Sequence, residues 1–185
     1  MLLFLGCANY GRLESIDDDR SYVKLEEKIS CRGKGYVLIK NYPQSRLNFN
    51  FNSTKEELFM LFKDIFGRKQ FQLSIVKNNI ELLSLRKKEI IPLESFSLIS
   101  PLIENIEPKD LIDLAWGVIP ESFISNSSQK KADENLILFN TYETSLGYLI
   151  NEISFHSVDD ISEINLFFLK REFDTRYPHL INEKI

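Results

Sequence analysis

Two imidazoles, His156 and His179, are the whole histidine complement of this 185-residue chain. Histidine is the usual general base near neutral pH and the commonest metal ligand, so chemistry of that kind must pass through one of them. His156 stands in Ile153-Ser-Phe-His156-Ser-Val-Asp-Asp160, directly after an apolar run that reads as a strand. An imidazole at a strand end with Asp159 and Asp160 close behind has the donor types of a metal site. The facial triad of non-haem iron enzymes needs two His and one carboxylate. The plainer reading is a polar turn in which Asp159 or Asp160 caps the next segment. His179 follows Pro178 in a polar tail and reads as an exposed side chain without a role.

Other reactive patterns are missing from the sequence. No Gly-x-Ser-x-Gly elbow marks any serine as a nucleophile. Arg32-Gly33-Lys34-Gly35 precedes a strand, whereas a phosphate loop joins a strand to a helix. Cys7 and Cys31 are too few for a disulfide framework and lack the Cys-x-x-Cys spacing of zinc sites, so reduced thiols and a cytoplasmic setting are expected. The start, Met1-Leu-Leu-Phe-Leu-Gly-Cys7, has the small residue and Cys of a lipoprotein processing site. Its apolar run is five residues with no preceding charge, short of the ~7–15 a signal peptide uses, so an ordinary N-terminus is expected.

Composition narrows the partners. The formal charge is −4, and the densest basic runs, Arg86-Lys87-Lys88 and Lys130-Lys131, are short and neighbour acidic residues. They read as solvated loop charges, so no nucleic-acid partner is expected. No stretch approaches the ~18 apolar residues of a membrane span, so no membrane partner is expected either. A chain with 14 Phe and 7 Tyr has ample material for one core. A single domain over 1–185 is the expectation, with a polar loop near 122–135 and a loosely held tail over 172–185.

The elements that must position these residues are read from periodicity. Asp17 to Asp19 can cap a helix over 19–30, with Tyr22, Leu25 and Ile29 at helical spacing. Residues 35–42 read as a strand buried on both faces and ended by Pro43. Ser53 and Glu56 have capping-box spacing, and Leu58, Leu61, Phe62 and Ile65 form a stripe, predicting a helix over 54–66 stopped by Gly67. Strands over 71–76 and 80–85 flank a hairpin turn at Lys77-Asn78-Asn79. Pro108 opens a helix running to about Trp116, a core residue. Strands follow over 136–142, 148–155 and 164–169. Lys170 and Arg171 read as surface charges. Asn41 and Tyr42 stand where a strand end can line a pocket. The fold class is mixed α/β (α+β): an N-terminal helix-strand-helix followed by a sheet.

Gly35-Tyr-Val-Leu-Ile-Lys-Asn-Tyr-Pro43, the helix before it and the aromatic-Gly end Phe66-Gly67 resemble the opening of the taurine dioxygenase and clavaminate synthase-like family. Its members are iron(II)- and 2-oxoglutarate-dependent oxygenases. Further on, Phe155-His156-Ser-Val-Asp-Asp160 and the run 164–171 ending in Arg171 resemble the family's first metal-histidine motif and the strand after it. The family's acid stands two residues after the His, where this chain has Val158. Its second His and its 2-oxoglutarate-binding Arg find no match, since His179 and Arg176 stand too close to His156. The resemblance implies a partial, divergent or truncated member with an incomplete double-stranded β-helix. His156 with Asp159 or Asp160 would hold iron(II). Iron(II) and 2-oxoglutarate would be the cofactors, and a small amino-acid-like molecule the substrate, of an oxygenase left inactive if the triad stays incomplete. The alternative is a non-enzymatic cytosolic interaction protein with no cofactor and a protein partner, such as a toxin-neutralising immunity protein; an acidic surface steers binding to a basic partner.

Overall fold

The computed structural model describes residues 25–40, 45–92, 106–126, 136–156 and 163–174. Among them are nine strands: β1 (Ser30–Ile39), β2 (Ser45–Ser53), β3 (Glu57–Lys63), β4 (Lys69–Val76), β5 (Asn79–Ser84), β6 (Glu89–Ile91), β7 (Leu136–Thr144), β8 (Gly147–His156) and β9 (Glu163–Asp174). Two short helices, α1 (Pro108–Trp116) and α2 (Glu121–Asn126), lie between β6 and β7. All nine strands belong to one sheet in the order β6-β5-β4-β3-β2-β1-β9-β8-β7. Every neighbouring pair is antiparallel. Two meanders are therefore joined by a pairing of β1 with β9.

This corrects the mixed α/β expectation. The described residues form a mostly β fold, with neither an N-terminal helix-strand-helix nor the two facing sheets of a double-stranded β-helix. The helix expected over 54–66 is strand β3 between two turns. Its sequence satisfies two periods at once: Leu58, Leu61, Phe62 and Ile65 fit a helix, while Leu58, Met60 and Phe62 fit a strand. The strand set is the buried one, at 0%, 6% and 3% exposure, and pairing with β2 and β4 on both sides decides between the periods. The residues expected to cap the helix build the β2–β3 turn instead. Thr54 Oγ1 accepts from the Glu56 and Glu57 N–H groups, and Ser53 Oγ donates to the Glu57 carbonyl.

The helix expected over 19–30 is also corrected at its described end. Residues 25–29 form a turn, with Lys28 N–H bonded to the Leu25 carbonyl, and β1 begins at Ser30. The Arg32-Gly33-Lys34-Gly35 segment, expected to precede a strand, lies inside β1. From Gly35 onward β1 alternates buried and half-buried residues, so one face meets the core. The β4–β5 hairpin matches its expectation, with Lys77 and Asn78 at positive φ between the strands. So does the helix starting at Pro108. The strand ending in Arg171 continues to Asp174, which places part of the expected loose tail in the sheet.

Gly33 and Gly35 explain how the sheet curls. A Cβ at Gly35 would lie 1.9 Å from the Phe167 carbonyl oxygen and 2.4 Å from Phe49 Cζ; at Gly33 it would lie 2.2 Å from the Lys170 carbonyl oxygen. The register between β1 and β9 shifts between Lys34 and Gly35. A bulge flanked by side-chain-free positions bends a strand sharply. The space is filled by Phe49 and Phe51, whose rings meet Phe168 at 5.6 Å and 5.8 Å, edge to face. On the other face Tyr36 stacks on Phe167 at 4.5 Å, and the Arg46 guanidinium lies 4.0 Å above the Tyr36 ring.

Helix α1 closes one end of the curled sheet. Leu111, Ile112, Leu114, Ala115 and Trp116 are buried in the common core. Trp116 Nε1–H donates to Ser53 Oγ and to the Thr54 carbonyl, both at 3.1 Å, tying the helix to the β2–β3 turn. Gly117 ends the helix at φ 85°, a conformation that costs other residues more. Its carbonyl accepts from Ile150 N–H on β8. This end carries the β2–β3, β4–β5 and β7–β8 turns. The opposite end carries the β3–β4 and β5–β6 turns.

Candidate functional site

His156 ends β8, opposite Glu163 at the start of β9. The carboxylate of Glu163 is already engaged: Oε1 accepts from Lys40 Nζ at 2.7 Å and from Asn165 Nδ2 at 2.9 Å. The Lys40 hydrogen bond, joined by that from Asn165, holds this carboxyl below the usual carboxylate range. Asn165 is 2% exposed, and its amide oxygen has no partner. Asp159, Asp160 and His179 lie outside the described residues, as do Asn41, Tyr42 and Arg176. Among the described residues no group of three or more His, Cys, Asp and Glu side chains is placed to hold a metal ion. The described part of the expected triad is therefore one imidazole facing a carboxylate bound to a lysine. Asp159 and Asp160, which would complete the set, lie outside the described residues, and no oxygen chemistry is derived through this pair.

Arg171, expected on the surface, is buried beside α1. Its Nε donates to the Ala115 carbonyl, Nη2 to the Leu114 carbonyl and Nη1 to the Ile150 carbonyl. The guanidinium also lies 4.0 Å from the centre of the Phe168 ring. It satisfies carbonyls that a helix end leaves free and binds that end to β8 and β9. Burial lowers its pKa to about 10, partly offset by the neighbouring Cys31 and Tyr142. Cys31 is a free, buried thiol whose hydrogen approaches the Ala115 carbonyl. Burial raises it to about 12 against the opposing field of Arg171, which makes it an inert core thiol.

The other end of the sheet has the opposite character. The β3–β4 turn carries Ile65 and Phe66, 67% and 76% exposed, the two most exposed large apolar side chains described. They are presented by a braced turn. Asp64 Oδ1 accepts from the Phe66 and Arg68 N–H groups, both at 2.9 Å. Its Oδ2 accepts from Arg68 Nε at 2.6 Å and from Gln70 Nε2 at 3.0 Å. Asp64 N–H bonds the Arg68 carbonyl, and Gly67 N–H bonds the Asp64 carbonyl. The Arg68 guanidinium then lies 5.2 Å from the centre of the Phe66 ring. Desolvation pulls the Asp64 carboxyl upward, but the hydrogen bonds from Arg68 and Phe66 outweigh it, so the group sits below its ordinary range.

The β5–β6 turn stands beside this tip, with Leu85 N–H bonded to the Gln70 carbonyl. It holds Arg86, Lys87 and Lys88, all exposed, followed by Glu89 and the exposed Ile90. Lys87 pairs with Glu89 at 3.3 Å. Lys69, Arg86 and Lys88 have no carboxylate partner among the described residues. Over residues 63–69 and 86–89, six cations face two carboxylates, so these two segments are together four positive on a chain whose formal charge is −4. In the sequence alone Arg86-Lys87-Lys88 is a short loop run, and Ile65 and Phe66 fall within the helix expected over 54–66. Only the pairing of β3, β4 and β5 brings the two together. The signal available beforehand was Asp64-Ile-Phe-Gly-Arg68, an Asx-turn sequence with two large apolar residues inside it.

No family model matches the chain, and no curated protein matches it either. Among the described residues no helix is long and apolar enough to cross a membrane.

Proposed function

We propose that this chain is a binding module that works by docking, and that its working surface is the end of the sheet formed by the β3–β4 and β5–β6 turns. The observation that carries this reading is the braced apolar tip. Leaving two large apolar side chains in water is unfavourable by roughly 1.5–3 kcal/mol each relative to burying them. Nothing in the fold requires them at this position, since the turn is held by Asp64, Gly67 and Arg68. Four hydrogen bonds to one carboxylate fix the direction in which the tip points. A preorganised apolar projection loses little conformational freedom on binding, which is what a docking element needs.

This reading belongs to the interaction class and departs from the iron- and 2-oxoglutarate-dependent chemistry implied by the family resemblance. The helix over 54–66, one of the elements that carried that resemblance, is a strand. The test is site-specific photocrosslinking of the full chain in its native cell. A photoreactive residue replacing Phe66 should give an adduct, whether with protein or lipid. The same residue replacing Lys77, in the turn at the opposite end, should give little. Equal yields from the two positions would refute the reading.

A further inference from the structure

We infer that the docking partner is an anionic lipid surface, with Ile65 and Phe66 entering the interface and the unpaired Lys69, Arg86 and Lys88 resting against headgroup phosphates or carboxylates. This rests on the docking reading above and names its partner. Three observations support it.

The first is size. The projection is two side chains on one turn. A stable protein interface buries about 800 Å² on each partner, more than such a tip supplies. A bilayer needs only that apolar groups pass a few ångströms below the headgroups. The second is charge. A chain of formal charge −4 is repelled as a whole by an anionic membrane, yet the segments 63–69 and 86–89 are together four positive. At the other end Glu56, Glu107, Asp113 and Glu121 outnumber Lys55, Lys77 and Lys109. The molecule is therefore polarised along the strands, and a negative surface would orient it tip first. The third is the combination. A single short apolar anchor binds membranes marginally, and an apolar anchor with a basic cluster binds stably. The two parts here are on adjacent turns, joined by the Leu85 to Gln70 hydrogen bond. This departs from the expectation of no membrane partner, which rested on the lack of a spanning segment; a peripheral contact needs none.

The experiment is sedimentation of the full chain with two sets of vesicles, neutral phosphatidylcholine and a mixture of phosphatidylcholine with phosphatidylglycerol. We expect binding to the mixed vesicles, weaker binding to the neutral ones, and loss of binding as salt rises from 0.15 M toward 1 M, where the screening length falls from ~8 Å to ~3 Å. Each cation at such a surface contributes about fivefold, so Lys69→Gln, Arg86→Gln and Lys88→Gln together should weaken binding by about a hundredfold. Ile65→Ser with Phe66→Ser should abolish co-sedimentation at both salt concentrations. All five positions are exposed, and circular dichroism confirms that each variant is folded. No binding to either vesicle, equal binding to both, or full binding by either variant would overturn the inference. A protein adduct from position 66 together with no vesicle binding would overturn the lipid assignment alone and leave the docking reading standing.

Discussion

The two ends of the sheet use the same interactions in opposite directions. At the closed end, Arg171, Trp116 and Ser53 direct their hydrogen bonds inward, onto α1 and the β2–β3 turn. Their polar groups satisfy one another, and the apolar surfaces around them are covered. At the open end, Asp64 gathers hydrogen bonds of similar number and length, but the residues it fixes, Phe66 and Arg68, point into water. A hydrogen-bonded turn that stabilised only the fold would be expected to carry polar side chains at its tip, as the Lys77-Asn78 turn does. The difference separates residues that hold the fold from residues that the fold holds.

The comparison breaks first if the closed end proves dispensable. Trp116→Ala removes a buried ring, its contact with Phe173 at 5.8 Å and both indole hydrogen bonds. The expected loss is ~3–5 kcal/mol, read from urea denaturation with an unchanged m-value. A loss below 1 kcal/mol would mean that α1 is an ornament on the sheet and not its plug. Next in size is Gly35→Ala. A methyl group there meets the Phe167 carbonyl and the Phe49 ring, so β1 and β9 must separate or the aromatic cluster must move. Overpacking of this kind costs ~1–3 kcal/mol or more. Chemical denaturation of this variant checks whether the curl depends on the glycine, and an unchanged midpoint would show that it does not.

These residues also show what the sequence made legible. The β4–β5 hairpin, the helix at Pro108 and the strands before and after His156 are announced by local signals: a turn dipeptide, a proline at a helix start, runs of β-branched and aromatic residues. The stretch Glu57-Leu-Phe-Met-Leu-Phe-Lys63 is not so announced, because continuous apolar sequence satisfies periods of 3.6 and 2.0 equally. Only its two strand neighbours settle it, and they are β2 and β4, each paired across a turn whose residues also fit helix capping. The place of Arg171 is hidden for a related reason. A charged residue after an apolar run looks exposed unless the helix end that it caps, more than fifty positions earlier, is known to lie beside it. The candidate site needed the first of these corrections. With β3 taken as a helix, Ile65 and Phe66 become core residues and the basic turn at 86–88 has no neighbour.

A smaller and local effect distinguishes the bracing of the open end from the packing of the closed one. The Asp64 carboxyl titrates below its ordinary value in the folded chain. Its contribution is therefore complete above the unfolded carboxylate value, ~3.9, and is lost as pH falls through the lower folded value. Amide exchange at Phe66 and Arg68, corrected for the intrinsic rate, should be protected at pH 6 and lose protection as pH falls through the lowered Asp64 value. In Asp64→Ala the protection should already be lost at pH 6. The amide of Ile150, bonded to the Gly117 carbonyl at the closed end, should keep its protection in both proteins at pH 6. If the two ends lose protection together, the tip is coupled to global unfolding and is not a separately braced element.

The smallest effect on stability is expected from the tip itself, and it is the sharpest test of the comparison. Ile65 and Phe66 meet water over two thirds or more of their surface, and the turn's hydrogen bonds use their backbone and Asp64. Replacing both by serine removes little buried apolar area from the folded state. Surface changes away from buried features stay within about ±0.5 kcal/mol, and the double variant should do the same in urea denaturation. It should also remain as soluble as the parent or become more so, since an exposed apolar pair is removed. A loss of 2 kcal/mol or more would show that these side chains pack against the fold, and the argument that their exposure marks a docking surface would fail with it. Stability retained while crosslinking from the neighbouring Arg68 position disappears would separate holding from held at a single turn: the carboxylate of Asp64 keeps the shape, and the two apolar side chains do the binding.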